Sequence, residues 1–293
     1  MPTARRLSAA AALTVAATAL VPAAYADDAA TTTSTGGGDF FDKWFAISDA
    51  AKESQPHWMT PVVTVTPRLE QEFRYDQSWQ DRPNGVTLEN YGGGKGLEVI
   101  PMANTEIIIG VPAYEVRDTP KGQTTGWGDE TFLLKYRLVS ANEEQGNYIM
   151  TGFVGVSIPT GNEAFTNHET IVTPTIAGGK GWGTRESGFD IQSTLGIAIP
   201  LANLSGLGSP ITWNTAFQAH TGKLWPELEV NYTYFKNGPN DGKSQTALTA
   251  GIVFGRFELN NRLRFIIGGG YQWVVSSFKT FNDTWILTAR LAF

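Results

Sequence analysis

From about residue 62 to Phe293 the hydrophobic pattern repeats every second residue. Such persistence restricts the chain to strands, because a helix would repeat near every third or fourth position. In "TPRLEQEFRYDQSW" Leu69, Phe73 and Tyr75 share one face, while Arg68, Glu70, Glu72, Arg74 and Asp76 share the other. A soluble core does not accept five charges on one strand face. In "TFLLKYRL" Phe132, Leu134, Tyr136 and Leu138 oppose Lys135 and Arg137, and in "FDIQSTLGIAI" Phe189, Ile191 and Leu195 oppose Asp190 and Gln192. "ITWNTAFQAH" sets Trp213 and Phe217 against Asn214 and Gln218, and "LWPELEVNYTY" sets Leu228, Val230, Tyr232 and Tyr234 against Glu227 and Glu229. "RLRFIIGGGYQWVV" sets Phe265, Tyr271 and Trp273 against Arg264 and Gln272. The last stretch alternates Trp285, Leu287, Leu291 and Phe293 with Thr288 and Arg290.

Twelve such segments fall at about 62–79, 94–102, 105–117, 127–140, 146–159, 170–182, 187–200, 210–220, 224–235, 245–257, 261–277 and 284–293. Each is long enough for the roughly 9–11 residues with which a tilted strand crosses a bilayer. An even number lets the last strand close against the first. The connections alternate between short ("ANT", "ANEEQ", "TRES", "TGK", "LNN") and longer ("QDRPNGVTLENYGG", "DTPKGQTTG", "TGNEAFTNHE", "LANLSGLGS", "KNGPNDGKS", "SFKTFND"). Outer-membrane barrels have short periplasmic turns and long external loops. The predicted fold is therefore all-β: an antiparallel transmembrane barrel of about twelve strands over residues 61–293, with its ends toward the periplasm and a short N-terminal periplasmic extension.

Ahead of the barrel, residues 1–26 read as a secretory signal: Arg5 and Arg6, an alanine-rich run, then Ala24-Tyr25-Ala26 as a cleavage pattern. Residues 27–60 read as a polar linker and a short amphipathic helix carrying Phe41, Trp44, Phe45 and Ser48, with Asp39 at its cap. That helix is expected as a packed N-terminal turn; lying on a membrane, docking under the barrel and plugging it are the other placements. A net charge of −6 excludes the basic footprint that nucleic-acid binding needs. With no cysteine, disulfides, thiolate nucleophiles and cysteine metal sites are excluded.

Chemistry-bearing motifs are sparse. "YGGGKG" lacks the Ser or Thr of a phosphate-binding loop and leads into a strand, and "GGKGWG" reads as a strand whose small residues permit bending. His57, His168 and His220 have no metal-ligand spacing, so neither metal nor cofactor is expected. His168 with Thr166 and Glu169 is the sole cluster a barrel hydrolase could use, and solvated loop residues account for it, so no catalytic residue is assigned.

The candidate functional residues are the inward charges Arg68, Glu70, Glu72, Arg74, Lys135, Arg137, Asp190, Glu227, Glu229, Arg264 and Arg290. As opposed rings they would make a selective constriction; as cross-strand pairs they would fill a narrow barrel. Trp182, Trp213, Tyr232, Tyr234, Tyr271, Trp273, Trp285 and Phe293 are placed in aromatic girdles at the lipid interfaces.

"GGGKGLEVIP", "GDETFLLKYRL", "VSIPTGN", "TPTIAGGKGWG" and "DIQSTLG" together resemble the outer-membrane family labelled MetA-pathway of phenol degradation proteins. The likeness runs from Tyr91 to Phe293, is strongest over Gly128–Gly196, and leaves out the first sixty residues. It implies a small barrel for uptake of hydrophobic or aromatic compounds and carries over no binding or catalytic residue. The terminal aromatic similarly resembles the signal read by the barrel assembly machinery. The reading is thus an outer-membrane channel for small solutes, with lipid, that machinery and a permeant as partners. The alternative is a structural or ligand-binding barrel blocked by its charges or by Phe40–Ala51.

Overall fold

A computed structural model describes residues 38–93 and 95–293, with side chains from residue 40 onward. The expected signal at 1–26, the linker to residue 37 and the Asp39 cap lie outside the described residues and side chains. After helix α1 (Gly38–Glu53) come β1 (Glu72–Arg82), β2 (Val86–Tyr91), β3 (Gly96–Met102), β4 (Thr105–Ile109), β5 (Tyr114–Thr119) and β6 (Gly122–Trp127). Then follow β7 (Glu130–Ala141), β8 (Tyr148–Ile158), β9 (Ile171–Gly183), β10 (Ser187–Ile197) and β11 (Ile199–Pro200). A single turn, α2 (Leu204–Leu207), precedes β12 (Ile211–Thr221), β13 (Leu224–Tyr234), β14 (Ser244–Glu258), β15 (Arg264–Val274) and β16 (Asp283–Ala292).

These elements form a closed antiparallel barrel. β16 pairs with β1 over ten residues, from Glu72↔Ala292 to Asp81↔Asp283, so the sheet has no edge at its seam. Twelve staves result because several short strands are collinear. Along β1, β3 covers Glu72–Arg74 and β2 covers Gln77–Arg82. The same division recurs where β4 and β5 follow one another, and where β6 leads into β7. The three interruptions, at 92–95, 110–113 and 128–129, fall on neighbouring staves. Glycine is required at two of them: a Cβ on Gly96 would meet Ile109 O at 2.5 Å, and one on Gly110 would meet Thr131 Oγ1 at 2.1 Å.

Alternation sorts the side chains as the pattern requires. On β16 Trp285, Leu287 and Leu291 are exposed on the outside, whereas Thr284, Thr288 and Arg290 are buried inside. The same division holds on β7, where Phe132, Leu134 and Tyr136 face out and Lys135 is fully buried. With every ladder closed, the wall leaves no unpaired strand at its seam while showing apolar side chains outward, an exterior suited to hydrocarbon.

Three expectations need correction. The wall begins at Glu72, so residues 62–71 are not the start of the first strand; they run inside the barrel without regular structure, and Leu69, expected on the lipid face, is fully buried beside Ile100 and Ala51. Parity could not reveal this, because a segment enclosed on all sides can alternate charged and apolar residues as a wall strand does. The stretches 80–93 and 118–126, expected as loops, are mostly strand, joined by tight turns at 83–85 and 120–121. Val86 and Leu88 share the inward face with Gln80 and the outward residues are mainly polar, so the outward apolar mark is missing. Finally, α1 docks across the short-turn end, with Trp44 Nε1 donating to Ile100 O at 2.8 Å and Lys52 Nζ to Phe293 O at 3.2 Å.

Candidate functional site: the occupied lumen

Residues 54–71 leave α1 at the short-turn end, rise into the lumen, and return to that same end at Glu72. Three prolines, Pro56, Pro61 and Pro67, keep this segment from pairing as a strand and leave its backbone groups to be satisfied by the wall. Val62 N–H donates to Glu227 Oε1 at 2.8 Å, Val63 N–H to Glu229 Oε1 at 2.8 Å, and Thr64 N–H to Glu229 Oε2 at 2.6 Å. Opposite, Arg290 donates to Thr60 O at 2.8 Å and Arg74 to Val62 O at 2.8 Å. On the return, Thr151 Oγ1 donates to Pro67 O at 2.5 Å and Lys135 Nζ to Arg68 O at 3.1 Å.

The inward charges therefore serve the luminal segment as much as one another. Arg68 and Glu70 belong to that segment and pair at 2.7 Å. Arg68 also donates to Pro56 O at 2.6 Å and to Trp58 O, pinning the two arms of the loop together. Lys135 meets Glu106 at 3.0 Å, both fully buried, and Glu106 accepts from Glu70 N–H at 2.7 Å. Arg74 pairs with Asp76 at 2.8 Å. Arg137 caps Ala51 O and Ala103 O, both at 2.7 Å, joining α1 to the first short turn. Asp190 accepts from Gln192 Nε2 at 2.9 Å, while Glu72 Oε1 is buried without a partner. Arg264 is exposed at the short-turn rim.

The anticipated girdle residues fall at two levels. Trp182 and Phe293 are at the short-turn end; Trp213, Tyr232, Tyr234, Tyr271, Trp273 and Trp285 are at the long-loop end. Trp182, Trp213 and Trp285 are more than half exposed, and Tyr271 packs on Trp285 at 4.7 Å between ring centroids. Trp79, directly opposite Trp285, and Trp127 extend the upper level.

Sequence reasoning missed Glu98, Glu106, Trp58 and Arg256. Glu106 was legible, since "TEIII" places one acid among isoleucines on the inward parity. Arg256 was not: outward by alternation, it is turned inward by a bulge between Gly255 and Phe257, with its own φ at 59°. Trp58 explains "GGKGWG" better than bending does. Its indole lies over Gly179 and Gly181, where an added Cβ would approach the ring to 2.5 Å, and its Nε1 donates to Asn147 Oδ1 at 2.8 Å. Gly181→Leu should expel this ring while the barrel still closes, and hydrogen exchange at residues 58–66 checks it by a loss of protection in the variant.

The histidines are dispersed. His57 holds Glu143 at 2.9 Å, His220 stacks on Trp225 at 4.0 Å, and His168 lies in an exposed loop. Among the described residues no group of three or more His, Cys, Asp or Glu is arranged for a metal. At the rim, α1 and the following turn are fastened by Asp49–Arg262 at 2.9 Å, Glu53–Arg185 at 2.6 Å and His57–Glu143. Burial works against the Glu143 carboxylate, but hydrogen bonds from the His57 ring and backbone outweigh it and hold the group down to about 2. Glu53 is lowered chiefly by its hydrogen bond with Arg185.

Because both pKa values fall on folding, this fastening is fully present above the ordinary carboxylate value of 4.5. It weakens as pH falls toward about 2, where Glu143 protonates. Release of α1 from the rim, read by hydrogen exchange of its amides, should accordingly stay flat from neutral pH to about 4.5 and rise below it. Glu143→Gln should raise it already at neutral pH, and identical flat profiles would refute the latch.

No protein-family model matches the chain, and no curated protein matches it. Among solved structures it is similar to the COG4313 outer membrane channel from Pseudomonas putida F1, at 14% identity and a TM-score of 0.47, over 75% of this chain and 93% of that one. It is also similar to a bacterial polysaccharide outer membrane secretin, at 11% identity and a TM-score of 0.35, over 76% of this chain and 97% of that one. The barrel assignment itself follows from the chain's own strand register and seam.

Proposed function

We propose that the chain is an outer-membrane channel for small solutes, gated by its own luminal segment, with hydrophobic or aromatic compounds as the class the family resemblance implies. The observation that carries this reading is the polar joint at Val62–Thr64. The segment buries Trp58, Met59, Val62 and Leu69, but a purely apolar core would not also hang its backbone on ionised side chains, as this one does on Glu227, Glu229, Arg290 and Arg74. Bonds to ionised groups are worth about 1.5–3 kcal/mol each, and water can take over each of them, so the joint sets the height of the barrier to withdrawal.

The apolar exterior and the two aromatic levels are read as the lipid contact, with the short-turn end periplasmic. The inward charges are read as the lining that the segment covers. β16 is read as the strand offered to the assembly machinery, since it is the one that zips the seam. Refolded protein in planar bilayers tests the function: brief openings from a mostly closed level support it. A permanently silent barrel would favour the second reading, a structural or ligand-binding barrel. That alternative draws on the ion pairs that fasten α1 across the rim.

A further inference from the structure

Between α1, the luminal segment and the β14–β15 turn lies a cavity of about 570 Å³ near the short-turn rim. Seven cationic side chains line it against four carboxylate side chains, an excess of three. The distribution is uneven. Lys52, Arg68, Arg185 and Arg262 each have a carboxylate within 3.4 Å. Among the described residues, Arg256, Arg264 and Arg290 form no salt bridge. Arg290 spends its donors on Thr288, Thr60 and Pro61, whereas Arg256 makes a single bond, to Trp58 O at 3.0 Å, and Arg264 makes none. Gln71 adds a buried amide donor with no acceptor.

Clustered guanidiniums of this kind repel each other, and Arg256, half-buried, has the Glu70 and Glu72 carboxylates in the same lining only beyond salt-bridge distance. The fold nevertheless places Arg256 there at the expense of regular backbone, through the bulge and left-handed φ that reverse its side chain. An anion in the cavity would satisfy these donors, and the fork of a guanidinium matches a carboxylate in two parallel hydrogen bonds. Met59, Ile266 and Ala292 give the same cavity an apolar wall.

We propose that this cavity binds a small organic carboxylate, its charge held by Arg256 and Arg264 and its apolar body set against Met59 and Ile266. Its role as a station on the solute's route to the periplasm rests on the channel reading; the binding itself does not.

Calorimetric titration of the full refolded chain in non-ionic detergent tests it, with benzoate, benzamide and inorganic phosphate as probes. Benzoate should bind at least about tenfold more tightly than either of the others, and Arg256→Gln and Arg264→Gln should each weaken it about tenfold or more. Heat-modifiable gel mobility reports whether each variant has folded; should Arg256→Gln fail, the rim variant Arg264→Gln decides. Equal binding of benzamide, equal binding of phosphate, or benzoate affinity unchanged in the folded variants overturns the proposal. Planar-bilayer conductance separates the two readings. A silent barrel that discriminates benzoate keeps the site and loses the channel, and a conducting barrel that does not discriminate does the reverse.

Discussion

Removal of residues 40–67 should convert a mostly closed barrel into a steadily open one, with single-channel conductance rising on the order of tenfold, since the segment fills the space that a barrel of more than about eight strands leaves between its inward side chains. The segment removed carries the main-chain groups that Glu227, Glu229, Arg290 and Arg74 now engage. The seam between β1 and β16 lies outside it, so closure and gel mobility should survive. Unchanged conductance in a folded deletion variant would mean that the passage is blocked elsewhere. A shorter deletion of residues 40–53 isolates the helix. It should raise opening frequency while leaving the closed level in place, because Val62–Thr64 would remain bonded to the wall.

Stability should respond most to the Glu106–Lys135 pair. Glu106→Ala leaves the fully buried Lys135 ammonium with only Arg68 O as acceptor, and removing one partner of a buried ion pair costs about 3–5 kcal/mol. Replacing both, as Glu106→Leu with Lys135→Met, should recover most of that loss, because two desolvated charges leave together. Urea unfolding of the refolded protein, followed by gel mobility, measures both. A double variant no more stable than the single would show that the pair does more than neutralise itself. It would then point to the Glu70 N–H and Arg68 O bonds as the main contribution.

The wall was legible because lipid outside and polar groups inside impose a strict period of two, and β12, β13 and β16 carry it without interruption. Legibility failed where another surface replaced the lipid. Residues 62–71 are enclosed by the wall, so Arg68 and Glu70 alternate with Leu69 for reasons unrelated to a bilayer. β2 and β6 lost their mark because most of their outward residues are polar. Arg256 was hidden by one inserted residue, since a bulge shifts parity without leaving a local signature in sequence. Trp58 had a trace in the glycines at 179 and 181, but a docking groove for an indole and a bend in a strand read alike when only one side of the contact is known.

The loop formed by residues 54–71 begins and finishes at one mouth. It can therefore back out as a bight of rope leaves a tube, with no chain end to thread and no knot to undo. Its two anchors, α1 and β1, set the length of slack. On the channel reading, expulsion is then a short reversible stroke, and reinsertion starts with both ends already in place.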